Sequence, residues 1–308
     1  MNSLVAEIQC KARSCLENHL GNDTDGFIFD SVALLEKYAK LWQLSELVFM
    51  PTYTVNLLFS CDSALFGQCV LKICIPGPEA ETEINCIRAY DGKGYVKLWN
   101  YNLADRVLLL ERVTPGTQLR SVIDYKQRAL QMAQSVKRLP YIICPQGRYP
   151  TYKAWMERLH KNLTNMPDTD DAIFYLSQAL QIYGELKQTY NRNALLHGDM
   201  NQENLLLNHQ GSYTIIDPKG VVDDPILETA RFLMNEFLSE PEIALTMIPI
   251  MAPIIGVPES DMLKSMYIDC ALNQCWSMEE HFPTQCAFDQ NKHSVISICK
   301  SVYDLLNL

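Results

Sequence analysis

Positive charge is scarce in this sequence, and long apolar runs are missing from it. Lys and Arg number 26 against 36 Asp and Glu, and the net charge of −10 argues against a nucleic-acid partner. The most apolar run, residues 244–256, is interrupted by proline and is shorter than a membrane span, so we expect no membrane contact. Residues 1–20 mix charged and apolar side chains and lack the apolar core of a signal peptide. We therefore expect a cytoplasmic protein.

Cysteine spacings typical of zinc sites or disulfide frameworks are also missing, although the chain has 11 cysteines. Cys270 and Cys275 do not form a C-x-x-C pair, and no histidine stands at zinc-site spacing from them. Four others are isolated in apolar or strand-like segments: Cys61, Cys69, Cys74 and Cys86. We interpret the cysteines as small buried hydrophobic residues of a protein in a reducing compartment.

The chain has enough apolar material for a packed core, since 48% of its residues are hydrophobic and 20% are charged. The acidic excess is concentrated near the end. Residues 221–308 contain four Lys or Arg and thirteen Asp or Glu. This segment is interpreted either as a solvated surface that aids solubility or as an acidic wall that attracts a cationic ligand.

The hydrophobic pattern divides the chain into a β-rich part and a helical part. In the first part, strands are predicted at residues 53–60, 68–75, 96–101 and 107–113, helices at 31–44 and 79–90, and a turn at 61–63. In the second part, helices are predicted at 119–139, at 169–190 and from 225 onward, with short strands within 195–207 and 213–216. We predict an α+β protein with a small antiparallel lobe over residues 1–113 and a larger helical lobe over residues 114–308.

The segment that carries the clearest chemistry is His197-Gly198-Asp199, followed by Asn204 and by the apolar run that ends in Asp217. Taken singly, Asp199 could be a turn residue, Asn204 a helix cap and Asp217 a strand end. Taken together, the order H-G-D-x-x-x-x-N … I-I-D matches the catalytic-loop pattern of kinases, with Gly in place of Arg. Phosphoryl transfer needs a carboxylate to orient the attacking hydroxyl, and oxygen ligands to hold Mg²⁺ on the phosphates.

Residues upstream fit the same chemistry. Lys72 ends a V-x-K strand pattern and is predicted to meet nucleotide phosphates, the alternative being a solvent-facing strand lysine. Glu83 is its expected ion-pair partner, with Glu79 and Glu81 as competitors. Backbone groups of the strand at Glu111–Val113 are expected to meet the adenine edge.

No glycine-rich phosphate loop precedes the lysine strand, and no Walker motif occurs anywhere in the chain. Phosphate contacts are therefore expected from Thr52, Thr54 or backbone amides. An A-P-E motif after Asp217 is also absent, which argues against a protein substrate.

The sequence resembles the aminoglycoside/hydroxyurea antibiotic-resistance kinase family, of the streptomycin 6-kinase type, within the protein-kinase-like superfamily that also contains choline kinases. The similar segments span roughly residues 45–280 and are E-I-N-C-I-R-A-Y-D-G (83–92), V-K-L (96–98), L-L-E-R-V-T-P-G (109–116), I-D-P-K-G (216–220), Asp224-Pro225 with Glu228, and N-Q-C-W-S-M-E (273–279). The resemblance implies a bilobal protein-kinase-like fold and an ATP- and Mg²⁺-dependent O-phosphotransferase, with GTP left open as donor.

Carried over by position, the resemblance makes Asp199 the catalytic base, Asn204 and Asp217 the Mg²⁺ ligands, and Lys72 the phosphate lysine. Residues 1–113 become the nucleotide-binding lobe, and residues 114–308 supply the catalytic loop and the acceptor pocket. The implied acceptor is an aminoglycoside such as streptomycin. The residues Met200-Asn201-Gln202-Glu203 depart from the family's usual Leu-His-x-Gly, and this departure puts the substrate in question.

Because aminoglycosides are polycations, acidic residues of the helical lobe become candidate acceptor contacts: Asp224, and Asp269, Glu279 and Glu280 on a helix predicted at 260–280. The alternatives are a solvated helix face, and for Asp224 a role in supporting the catalytic segment. Trp276 is expected in the core. Two other functions stay open: a kinase of a small metabolite such as a sugar, choline or an amino alcohol, and a nucleotide-binding pseudokinase. No oligomeric state is predicted.

Overall fold

A computed structural model describes residues 2–51, 55–281 and 293–306. The chain forms two compact units, Met1–Thr114 and Pro115–Leu308. Each unit has its own secondary structure, and the candidate functional residues are distributed over both.

The first unit is an antiparallel sheet preceded by two helices. The helices are α1 (Asn2–Leu20) and α2 (Thr24–Leu41), followed by β1 (Leu44–Met50), β2 (Leu57–Ser63), β3 (Gly67–Ile73), α3 (Glu79–Tyr90), β4 (Leu98–Asn102) and β5 (Val107–Glu111). The strand order is β1-β2-β3-β5-β4, and each pair is antiparallel. Apolar side chains of α1 and α2 pack with those of β1, β2, β3 and β5 in one hydrophobic core.

The predicted helix at 79–90 is confirmed at both ends, because Pro78 precedes it and Asp91 leaves it in the left-handed region at φ 47°. The turn predicted at 61–63 is wrong. Those residues continue β2, and the turn follows at Ala64, where the Ser63 hydroxyl accepts from the backbone N–H of Leu65 at 3.2 Å. The helix predicted at 31–44 begins earlier, at Thr24, and ends at Leu41. Strand β1 was not predicted.

The second unit is mainly helical and carries two small sheets. Its elements are β6 (Pro115–Gln118), α4 (Tyr125–Arg138), α5 (Tyr152–Leu163), α6 (Asp170–Thr189), β7 (Ala194–Leu196), β8 (Leu205–Asn208), β9 (Tyr213–Ile215), β10 (Val221–Asp223), α7 (Ala230–Ser239), α8 (Pro241–Ile255), α9 (Glu259–His281) and α10 (His293–Leu305). One sheet has the order β6-β8-β9, and the other pairs β10 with β7. These short strands hold the two ends of the H-G-D segment and the segment that ends in Asp217.

The helix predicted at 119–139 starts too early. Leu119–Ser121 forms a 3-10 turn, and α4 begins only after Asp124, whose carboxylate accepts from the backbone N–H of Lys126. Helix α5 was not predicted. Of the described cysteines, seven are buried and none forms a disulfide, which agrees with the interpretation as small buried residues.

No single helix of the described part is long and apolar enough to cross a membrane. By length and composition alone, α8 and the Glu259–Glu279 part of α9 pass such a test together, with a bend of 117° between them.

Candidate active site

A buried ion pair joins β3 to α3 in the first unit. Lys72 Nζ lies 2.7 Å from Glu83 Oε1 and 2.8 Å from Oε2, and the two residues are only 3% and 5% exposed. Glu79 and Glu81 are exposed, so Glu83 is the partner among the three candidates. The alternative of a solvent-facing Lys72 is wrong. An ammonium buried this deeply with one carboxylate is held in a fixed place, as a phosphate-binding lysine must be.

Glu111 is the last residue of β5, and Val113 follows two residues later. The backbone N–H of Glu111 donates to the carbonyl of Lys97 at 2.9 Å, and its carboxylate accepts from the Lys97 N–H at 3.3 Å. Val113 is buried. The adenine contact assigned to this strand stays a prediction. Thr52 and Thr54 lie outside the described residues.

His197 connects the two motif segments of the second unit. Its Nε2 lies 2.8 Å from the carbonyl oxygen of Ile216, and its Nδ1 accepts from the Asp199 backbone N–H at 3.0 Å. Since Nδ1 accepts, the ring proton belongs on Nε2. Burial lowers the pKa of His197, which favours this neutral form. The ring therefore fixes the backbone at Asp199 against the residue before Asp217.

Gly198 explains why this motif reads H-G-D. Its φ is +78°, a left-handed conformation that costs side-chain-bearing residues energy. A Cβ at this position would lie 2.9 Å from Val221 Cγ1 and 3.1 Å from Trp155 Cη2. An arginine, as in the protein-kinase pattern, does not fit here without displacement of β10 or α5.

The Glu228 carboxylate accepts hydrogen bonds from the backbone of the same turn. Glu228 is buried, and both of its carboxylate oxygens lie 3.1 Å from the backbone nitrogen of His197. The backbone N–H of Gly198 donates to it as well. Burial raises the pKa of Glu228 to about 8, and these N–H donors oppose the rise. Its role was not predicted, although it belongs to a segment singled out by the resemblance.

Asn204 is tied to Asp199 by a direct hydrogen bond. The side-chain Nδ2 of Asn204 donates to the backbone carbonyl of Asp199 at 2.9 Å. The backbone carbonyl of Asn204 accepts from the Ile216 N–H at 3.0 Å. Asn201 adds a second contact, with Nδ2 3.5 Å from Asp199 Oδ1. Asp217 follows directly, with φ +56°. The loop thus brings Asp199 and Asn204 together. Asp217 directly follows Ile216, whose backbone N–H donates to Asn204.

Asn204 and Asp217 carry the amide and carboxylate oxygens that Mg²⁺ accepts. Within the described part of the chain, no group of three or more His, Cys, Asp or Glu side chains could hold a metal alone. A pair of protein ligands suits an ion that keeps waters and binds substrate phosphates for its remaining positions.

Arg231, on α7, was not singled out by the sequence, and it lies next to Asp199. Its Nε is 3.6 Å from Asp199 Oδ1 and 2.7 Å from Asp269 Oδ2. Asp269 is fully buried, so the alternative of a solvated helix face is wrong for this residue. Burial raises the pKa of Asp269 to about 6, against the opposing effect of the Arg231 charge. The cation that pairs with Asp269 is thus the guanidinium of Arg231, a residue of the chain itself.

Two other acceptor candidates, Asp224 and Glu279, also meet partners within the chain. The Asp224 carboxylate is buried and accepts from the backbone N–H groups of Ile226 at 3.0 Å and Arg192 at 2.9 Å. Its contacts fit the alternative of a supporting residue near the loop. Glu279 pairs with Arg158 at 2.6 Å. The side chain of Glu280 lies outside the described part. Trp276 is half-buried rather than in the core.

The fold and this loop define the class: an α+β protein with the protein-kinase-like architecture. Many solved structures share this fold, including the following two. A choline/ethanolamine kinase family protein from Mesorhizobium loti superposes with a TM-score of 0.69 at 14% identity, over 96% of this chain and 95% of that one. A thermostable mutant of aminoglycoside phosphotransferase APH(4)-Ia, solved with ADP and hygromycin B, gives 0.59 at 12% identity, over 87% and 97%. At these identities the likeness shows the fold.

A sequence profile described as aminoglycoside/hydroxyurea antibiotic resistance kinase matches residues 42–279. The chain belongs to this family. Hydroxyurea phosphotransferase of Kitasatospora aureofaciens is 26% identical over 175 residues, 55% of this chain and 51% of that protein. Streptomycin 6-kinase of Streptomyces griseus is 24% identical over 211 residues, 67% of each. The chain thus spans about half the length of the first relative.

Proposed function

We propose that the chain transfers the γ-phosphoryl group of ATP to a hydroxyl of a small cationic molecule, an aminoglycoside such as streptomycin. The observation that carries the proposal is the Asp199 loop, in which His197 and Asn204 fix the backbone of Asp199 through bonds of 3.0 and 2.9 Å. Family membership and the names of the streptomycin 6-kinase relatives support the acceptor class.

In this mechanism Asp199 accepts a hydrogen bond from the acceptor hydroxyl and turns its oxygen toward the γ-phosphorus. A bond forms between that oxygen and phosphorus, the bond to the β,γ-bridging oxygen breaks, and the proton passes to Asp199. ADP and the phosphorylated acceptor are the products. Asn204 and Asp217 would hold Mg²⁺, which supplies positive charge to the phosphate oxygens.

The first unit has the nucleotide role in this proposal. Lys72 would contact the α- and β-phosphates, while Glu83 keeps its ammonium in place at 2.7 Å. Backbone groups near Glu111 and Val113 would meet the base. The second unit would supply the catalytic loop and the acceptor pocket.

The test is ATP consumption with Mg²⁺, without acceptor and with streptomycin, other aminoglycosides, hydroxyurea and amino alcohols. We expect turnover that depends on an aminoglycoside. The variant Asp199→Asn keeps the shape of the side chain, and we expect it to lose turnover while it still binds ATP.

Turnover with amino alcohols alone would replace the acceptor class and keep the chemistry. Tight ATP binding without turnover for any acceptor would favour the pseudokinase alternative. Substantial residual turnover in Asp199→Asn would remove Asp199 from its assigned role.

A further inference from the structure

Arg231 is a buried guanidinium that lies between two carboxylates from different elements. Its Nε is 2.7 Å from Asp269 on α9 and 3.6 Å from Asp199 in the catalytic loop. The Arg231 side chain is only 11% exposed and that of Asp269 is 1% exposed. A charge at this depth persists only with compensating partners, so these contacts are a fixed part of the unit.

Helix α9 holds the guanidinium along one face. Asp269, Asn273 and Trp276 stand four and then three residues apart, which places them on the same side of the helix. Arg231 Nη1 donates to Asn273 Oδ1 at 3.4 Å, and the guanidinium carbon lies 5.3 Å from the centre of the Trp276 ring. Three side chains of one helix therefore fix the orientation of Arg231.

The alignment of this cluster is poor for an element of stability alone. Arg231 Nε and Nη2 and both oxygens of Asp269 are buried without an aligned hydrogen-bond partner, although the ion pair is short. By contrast, Arg128 and Glu236 form a bidentate pair in the same unit, with bonds of 2.9 and 2.7 Å. Buried polar atoms left without aligned partners point to a functional constraint on the group.

We propose that Arg231 is a positioning residue for phosphoryl transfer: held by Asp269, Asn273 and Trp276, it fixes the Asp199 carboxylate in the orientation that receives the acceptor hydroxyl. The proposal rests on the proposed function, in which Asp199 is the base. The competing explanation is that Arg231 and Asp269 only join α7 to α9.

Removing the charges of both Arg231 and Asp269 distinguishes the two explanations. Arg231→Met leaves Asp269 buried and alone, so stability falls under either explanation. In the double variant Arg231→Met/Asp269→Asn no fully buried charge is left uncompensated, because the remaining Asp199 side chain is 24% exposed, and the melting temperature recovers. If Arg231 positions Asp199, kcat of the double variant stays roughly 100-fold below that of wild type. Arg231→Lys keeps the charge and recovers part of kcat, while KM for ATP is unchanged in every variant.

The matched control is Arg128→Met/Glu236→Gln, which neutralises a buried pair that also involves α7 but has no contact with Asp199. We expect it to leave kcat within about twofold of wild type. The proposal is overturned if kcat recovers together with the melting temperature in Arg231→Met/Asp269→Asn, or if Arg231→Met keeps wild-type kcat.

Failure of the proposed function is seen separately, in wild-type protein that turns over no acceptor. The proposal about Arg231 is then decided by a crystal structure of Arg231→Met/Asp269→Asn. A carboxylate of Asp199 that leaves its wild-type position supports it. A carboxylate that keeps its position overturns it.

Discussion

Replacing Gly198 with alanine tests whether the turn that precedes Asp199 depends on close packing. Gly198 has φ +78°, and an added Cβ would lie 2.9 Å from Val221 Cγ1 and 3.1 Å from Trp155 Cη2. Both distances are shorter than ordinary contacts between carbon atoms, which are about 3.5–4.0 Å. The side chain of Val221 belongs to β10, which pairs with β7, so it cannot move without disturbing the strand that leads into the loop.

The expected cost has two parts. A left-handed conformation costs an alanine about 1–2 kcal/mol. Forcing a methyl group into a packed site adds about 1–3 kcal/mol. Together they give about 3 kcal/mol, which lowers the melting temperature of a domain of this size by roughly 6–12 °C.

Gly211 provides a matched control, because its φ of +76° is almost the same while nothing lies within 4 Å of its would-be Cβ. The destabilisation by Gly211→Ala therefore comes from the backbone conformation alone. The effect of Gly→Ala on the unfolded state is common to both variants. Urea denaturation of both variants measures the difference, which we expect at about 1–3 kcal/mol. In the acceptor assay, Gly198→Ala should lose kcat because Asp199 is the next residue, and Gly211→Ala should keep it. Equal destabilisation by the two substitutions would refute the close-packing argument.

Two further predictions concern buried charges. Lys72→Met leaves the Glu83 carboxylate buried without its ammonium and should destabilise the protein by about 3–5 kcal/mol, whereas Lys72→Met/Glu83→Leu should recover stability in urea denaturation but not ATP turnover. The pKa of Glu228, raised by burial to about 8 from 4.5, means that the folded state binds more protons than the unfolded state between these pH values. Its contribution to stability is therefore full below about pH 4.5 and is lost as the pH rises towards 8, by at most about 1.4 kcal/mol per pH unit. Glu228→Gln should remove this part of the pH dependence in melting curves from pH 5 to 9, and an unchanged slope in the variant would contradict it.

Local patterns predicted parts of the fold that carry strong local signals. The helix at 79–90 lies between Pro78 and Asp91-Gly92, and its bounds agree with α3. The residues around Asp199 were singled out by their order and spacing along the chain. The structure brings two of them together, since Asn204 Nδ2 donates to the Asp199 carbonyl at 2.9 Å. Helix α5 was overlooked although it carries a local signal of the same kind. Thr151 caps its first turn, and its buried residues stand at helical spacing: Tyr152, Met156, Leu159 and Leu163.

Arg231 shows a different limit. It is an ordinary arginine in an apolar helix, and nothing in its neighbours along the chain marks it. Its partners Asp199 and Asp269 are more than thirty residues away on either side. The sequence singled out Asp269 as an acidic residue of a predicted helix, and only the tertiary contact shows that its charge is already paired.

The same argument revises the meaning of the acidic segment 221–308. Several of its carboxylates are paired with basic residues that precede the segment: Asp223 with Lys187, Asp224 with Arg192, Glu236 with Arg128 and Glu279 with Arg158. A charge imbalance along the sequence is thus partly compensated in space, and these four paired carboxylates do not form an open acidic wall. Beside Asp199, one guanidinium faces two carboxylates, which leaves a local excess of one negative charge. Selection of a cationic acceptor would then depend on short-range contacts with this cluster, since fields between exposed charges are screened within about 10 Å.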